Sequence, residues 1–191
     1  MQKIVFNDRY GLTNAVIEGR KTMTRRLIPD EFFGLTWDTR GNTLVYENEY
    51  GDFIDVRHSK YTRYKLGEVV AVSQCYNDVV QEFTDLAFVP GSTNKMFVRA
   101  DLMPHQIRIT GIKCEQLQSI SHDDCFREGI IESWYESTDT TTYGFVDEKK
   151  GTAVEFDTPR KAFAALIDKV SGRGTWDRNP WVVVYEFELV K

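Results

Sequence analysis

The run Trp181-Val182-Val183-Val184-Tyr185-Glu186-Phe187-Glu188-Leu189 constrains this chain most. β-Branched and aromatic side chains dominate it, which favours an extended strand. Val182 and Val184 make its first half apolar on both faces, whereas Glu186 and Glu188 leave the second half one-sided. Val69-Val70-Ala71-Val72, entered through Leu66-Gly67, is also apolar on both faces and predicts a central strand. Ile107 to Cys114 predicts a third. Its apolar positions, Ile107 and Ile109 and then Ile112 and Cys114, change parity at Gly111, where a β-bulge would restore the facing. Lys3 to Phe6 reads as a short further strand.

Helix signals separate these strands. Asn7 or Asp8 caps a predicted helix through about Glu18 that carries Leu12, Ala15 and Val16 on one face and stops at Gly19. Ser121-His122-Asp123-Asp124 is a capping box for a short helix ending at Gly129. After Asp157-Thr158-Pro159, the spacing of Phe163, Leu166, Ile167 and Val170 predicts the clearest helix, stopped by Gly172. Residues 30–60 read as a β insertion, with apolar groups at Phe33 to Trp37, Leu44 to Tyr46 and Phe53 to Val56 around turns at Gly41 and Gly51. Residues 77–105 read as irregular, with a turn at Pro90-Gly91-Ser92. Residues 132–155 read as a Ser/Thr-rich loop holding Trp134, Tyr135, Tyr143 and Phe145, either a lid or a surface excursion. The expectation is an α+β protein: one domain over 1–191, built as a small mixed, mostly antiparallel β-barrel.

With 191 residues the chain is long enough to bury its own core. Its net charge of −5 and pI near 5.3 argue against a protein that coats duplexes. Three cysteines, Cys75, Cys114 and Cys125, are too few and too scattered for a disulfide framework, and read as buried reduced thiols of a cytoplasmic protein. His122 and Cys125 are spaced to share a helix face but offer only two ligands, so no metal site and no cofactor is expected. No apolar leader and no run of about 18 apolar residues is present, so no membrane association is expected.

Against that acidic background Gly19-Arg20-Lys21-Thr22-Met23-Thr24-Arg25-Arg26 stands out, with four cations and two threonines in eight residues. Such a segment can form one wall of a pocket for a nucleotide or nucleic-acid fragment. Arg25 and Arg26 are forked donors suited to phosphate. Arg108 is a weaker candidate for the same cleft. Trp176 and Trp181 flank Asn179-Pro180 and could stack on a base, although the apolar residues after Trp181 favour a core role.

This segment resembles the G-x-K-T-x-T-x-R signature of the ASCH domain family, relatives of the PUA domain. Other matches follow in order: Tyr64-Lys65-Leu66-Gly67-Glu68-Val69-Val70, then Leu117 to Ser121 running to Glu128-Gly129-Ile130, then Trp176 to Phe187, which is similar to the closing strand of ASCH proteins carried by phages and prophages. Residues 30–60, 77–105 and 132–155 would be insertions. The resemblance implies a PUA-like β-barrel whose cleft binds RNA or a nucleotide, lined by Arg20, Lys21, Thr22, Thr24, Arg25, Arg26 and Glu128. One much shorter branch hydrolyses N(4)-acetylcytidine, and its lysine, threonine and glutamate match Lys21, Thr24 and Glu128. The chain departs from phage relatives at Gln74, where most have glutamate.

Two chemistries therefore stand side by side, recognition of RNA or a modified nucleoside and hydrolysis of an N-acyl amide. In the second, Thr24 attacks, Lys21 takes its proton and Glu128 orients or protonates the leaving amine. Lys21 must then be neutral, and Lys21 and Thr24 must converge although alternate strand residues face apart. Glu128, in the last turn of its helix, faces the negative dipole end and needs a cation, for which Lys21 is the expected partner. A third reading, a phage-associated protein-interaction module, would show an exposed aromatic patch on the 30–60 insertion.

Overall fold

The computed structural model describes residues 1–29, 34–59, 61–79 and 89–190. Phe33, where the first insertion strand was expected to begin, and residues 80–88 of the irregular stretch lie outside these. In chain order the first half contains β1 (Lys3–Ile4), α1 (Leu12–Ile17), β2 (Met23–Leu27), β3 (Thr36–Asp38), β4 (Thr43–Glu47), β5 (Phe53–Asp55), β6 (Val69–Val72) and α2 (Tyr76–Val79). The second half adds β7 (Gln106–Gln116), α3 (His122–Arg127), β8 (Ile131–Tyr135), β9 (Thr140–Asp147) and β10 (Thr152–Phe156). It ends with α4 (Pro159–Ser171), α5 (Thr175–Arg178) and β11 (Trp181–Leu189).

The strands form three sheets, and none of them closes into a barrel among the described residues. The largest runs β1-β6-β7-β11-β2. Only β1 against β6 is parallel in it; its other ladders are antiparallel. The strands expected to be two-sided, β6 and β11, sit inside this sheet, and Val70, Val72, Val182 and Val184 are fully buried. The bulge predicted at Gly111 lies beside it: Glu186 pairs with Gly111 and Phe187 with Ile109, leaving Thr110 as the extra residue. That one residue lets Ile107, Ile109 and Cys114 all reach the core.

Two expectations are corrected. The first helix is broken, because Gly11 takes φ 65 and separates a 3₁₀ turn, Asp8–Tyr10, from α1. Only a residue without Cβ enters that region cheaply. The stretch 132–155 is not a loop but most of a three-stranded antiparallel sheet, β8-β9-β10. Its threonines and aromatics are strand formers, and Phe145 is buried with its ring edge-on to Tyr10. The 30–60 insertion is the expected β unit, β3-β4-β5, anchored by buried Leu44 and Val56. Helix α4 follows its sequence pattern from the Thr158 cap, which accepts from Lys161 N–H, to Gly172 at φ 106.

Candidate functional site

Lys21 precedes β2 rather than lying within it. Its backbone N–H donates to Ala15 O, and Thr22 N–H donates to Arg127 O, so the segment is tied to both α1 and α3. This pre-strand turn resolves the facing problem: Lys21 and Thr24 both reach the same hollow.

Lys21 is 2% exposed and Glu128 5%. Lys21 Nζ donates to Glu128 Oε2 at 2.6 Å and to the Glu128 main-chain carbonyl at 2.8 Å. Arg25 Nη1 donates to the other carboxylate oxygen at 3.0 Å. Glu128 caps the C-terminus of α3, and Gly129 at φ 105 turns the chain away. The glutamate thus meets the two cations that its position requires.

Arg25 is the hub of the network. Nε and Nη2 both donate to Glu115 Oε1, Nη2 also donates to Asp124 Oδ2 at 2.8 Å, and Nη1 donates to Glu128 and Met23 Sδ. A guanidinium has five N–H donors, so none is left over. Lys113 closes the outer side, 3.0 Å from Glu115 and 3.5 Å from Asp124. Arg127 also reaches Asp124 at 3.5 Å and Glu186 at 3.1 Å, so Lys21, Arg25, Lys113 and Arg127 stand against four carboxylates, Glu115, Asp124, Glu128 and Glu186.

Burial lowers the Lys21 pKa, against the pull of Glu128 and with Arg26 and Arg25 adding to the fall. Arg25 is held above its usual value: burial opposes its charge, but Glu128 and Glu115 outweigh that. For Asp124 burial again opposes the charge, and the Arg25 hydrogen bond and charge hold its pKa below the usual value.

The hollow has a volume of about 220 Å³ and is floored by Lys21, Thr24 and Glu128. Its apolar wall is the α4 stripe of Phe163, Leu166, Ile167 and Val170, with Phe6 opposite. Among the described residues the Thr24 hydroxyl has no hydrogen-bond partner. A wider trough of about 860 Å³ adjoins, sharing Val5, Phe6, Asn7, Arg26, Leu27 and Val170. Ligand pockets usually span roughly 300–1,000 Å³, so the hollow suits one end of a ligand and the trough the remainder.

Of the residues singled out in the sequence, Lys21, Thr24, Arg25, Arg26 and Glu128 meet here; the others do not. Arg20 turns outward to Glu18 at 2.6 Å. Thr22 Oγ1 accepts from Arg127 outside the hollow. Arg108 is on the surface beside Glu188. Trp181 stacks on Trp37 at 5.7 Å, as a packing residue. Gln74 lies in a separate acidic recess with Asp8 and Asp78. The donors of Arg25 are committed to the network, which leaves none for a phosphate, whereas Arg26 donates through Nη2 to Val5 O and has no ion pair among the described residues.

Sequence reasoning missed Asp124 and Glu115. Asp124 was absorbed into the capping box, where its N–H does donate to Ser121 Oγ, but its carboxylate points to Arg25. Glu115 follows from the bulge, whose parity change fixes the facing of β7. Among the described residues no group of three or more His, Cys, Asp or Glu side chains is placed to hold a metal ion, and no helix is long and apolar enough to cross a membrane. Burial pushes the thiols of Cys114 and Cys125 up to about 12 and about 11. Comparison with protein-family models, curated proteins and solved structures finds no match for this chain.

Proposed function

We propose that this chain is an ASCH-type, PUA-like protein that recognises a nucleoside or an RNA nucleotide, its base or base substituent entering the hollow beside Lys21 and Glu128. The carrying observation is that five residues of the Gly19–Arg26 resemblance and the α3 terminus, distant in sequence, line one concavity. The charges of its floor, Lys21 and Glu128 with Arg25, are internally paired, so the floor favours a neutral polar group over an anion. The α4 wall supplies the apolar surface on which a planar ring can lie. Titration calorimetry with N(4)-acetylcytidine, cytidine and their monophosphates tests this. Saturable binding weakened by Leu166→Ala supports recognition, and no binding of any of them at millimolar concentration overturns it.

The unpartnered Thr24 hydroxyl favours a second reading, amide hydrolysis. Burial already lowers the Lys21 pKa, in the direction that a general base needs. Thr24 Oγ1 would form a bond to the acyl carbon while its proton passes to neutral Lys21 Nζ. The C–N bond would then break, its electron pair leaving with the nitrogen, which takes the proton back from Lys21. Water would cleave the threonine ester, releasing acetate and restoring Thr24. Glu128 would hold Lys21 through the two hydrogen bonds described. Deacetylation of N(4)-acetylcytidine that is abolished by Thr24→Val supports this reading. Binding without turnover at high protein concentration retires it and leaves recognition standing.

A further inference from the structure

The trough beside the hollow carries arginines that the network above does not use. Four cations line it, Arg9, Arg26, Arg63 and Lys95, against one carboxylate, Asp8. Two of the four are occupied. Arg9 is bound to Asp147 at 2.9 Å, and Lys95 is held by Asp8, Thr13 and the Phe6 carbonyl. Arg26 and Arg63 have no carboxylate partner among the described residues. Among the described residues the Arg26 guanidinium donates only to Val5 O, at 2.8 Å, and it lies 5.8 Å from the Phe6 ring centre. Arg63 lies over the Tyr64 ring at 5.6 Å.

Both guanidinium groups line this one trough, Arg26 over the Phe6 ring and Arg63 over the Tyr64 ring. Tyr64 is itself fixed: its hydroxyl donates to Lys3 O at 3.0 Å, and its ring packs edge-on to Tyr185 at 5.3 Å. Two exposed forked donors, each over an aromatic ring and neither paired with a carboxylate among the described residues, match the needs of a phosphate group, since the trough's Asp8 is taken by Lys95. Arg26 also lines the hollow, so a phosphate held here is joined to whatever the hollow takes.

We propose that Arg26 and Arg63 bind the phosphate of the ligand whose base enters the hollow, so that the ligand is a nucleotide, free or within RNA, and not an unphosphorylated nucleoside. This rests on the recognition reading above. The test compares binding of N(4)-acetylcytidine, its 5′- and 3′-monophosphates, a short RNA containing the same base, and inorganic phosphate, in the wild type and in Arg63→Ala and Arg63→Lys. At least one monophosphate binds about tenfold or more tightly than the nucleoside, and Arg63→Ala brings that ratio towards one. Arg63→Lys, which keeps the charge but loses the fork, retains part of it. The RNA arm separates a polymer from a free nucleotide: tighter binding of the RNA than of either monophosphate assigns the site to RNA. Nucleoside and monophosphates binding equally would overturn the proposal and leave recognition intact. So would a preference untouched by Arg63→Ala, or phosphate binding that does not depend on the base. Binding of no arm would overturn both readings. Arg63 is exposed and makes no side-chain ion pair among the described residues, and unchanged thermal melting of the variants confirms that folding is not the cause.

Discussion

Glu128 accepts from Lys21 on one oxygen and from Arg25 on the other, and among the described residues each cation is the sole ionic partner of its oxygen. Removing one partner of a buried pair leaves an uncompensated charge, and Lys21→Met is expected to cost roughly 3–5 kcal/mol in urea unfolding. Thr24→Val should change stability by less than about 1 kcal/mol, since the hydroxyl has no partner to lose. A large loss in that variant would mean that Thr24 is structural. The two titrating groups act in opposite pH ranges. Asp124 has its folded pKa held below 3.8, so its contribution is present above that value and lost as pH falls through the depressed one. Asp124→Asn should flatten the acid limb of the stability profile. The Lys21 pKa is lowered from 10.5, so between the folded value and 10.5 the unfolded chain holds a proton that the folded chain has lost. Stability from this group therefore rises with pH across that window. Lys21→Met should remove the rise, and identical alkaline profiles for the two proteins would contradict the assignment.

At the scale of elements, the β8-β9-β10 sheet rests on one close approach. A Cβ added at Gly144 would meet Val154 O at 2.1 Å, and backbone cannot move aside cheaply. Gly144→Ala is expected to destabilise by about 1–3 kcal/mol, with faster amide exchange confined at first to β9 and β10. Uniform protection across the chain would count against it. This sheet also marks the limit of what the sequence discloses. Its serines and threonines match loop composition as well as strand propensity, and only the burial of Phe145 against Tyr10 decides. Where the apolar period is unambiguous, as along α4 and β11, elements can be read directly. The α4 stripe nevertheless hides its second role: Phe163, Leu166, Ile167 and Val170 look like a core face, yet they also form the wall of the hollow. Lys21, Thr24 and Glu128 were legible as a group through their resemblance. The five-donor closure of Arg25 was not, because it depends on how β7 and α3 are placed in space.

For the whole molecule, the acidic net charge and the basic trough oppose each other. A polyanion would be repelled at long range and accepted only where Arg26 and Arg63 face it, so binding should be local and salt-sensitive. For a short RNA the affinity is expected to fall with salt at a slope corresponding to about two phosphate contacts, near −1.4 on logarithmic axes. A slope several times steeper would point to a broader surface. The open five-stranded sheet places β2 at its edge, so the cationic segment is reached from the side by α1, α3 and α4, and this lateral arrangement creates the hollow. The central claim is that the hollow receives the base. A methyl and amide NMR titration with N(4)-acetylcytidine and its 5′- and 3′-monophosphates tests it most directly. The account predicts saturable shifts centred on Thr24, Leu166 and Val170, together with Glu128, weakened in Leu166→Ala. Saturable shifts centred elsewhere, or no shifts at millimolar ligand, would contradict it.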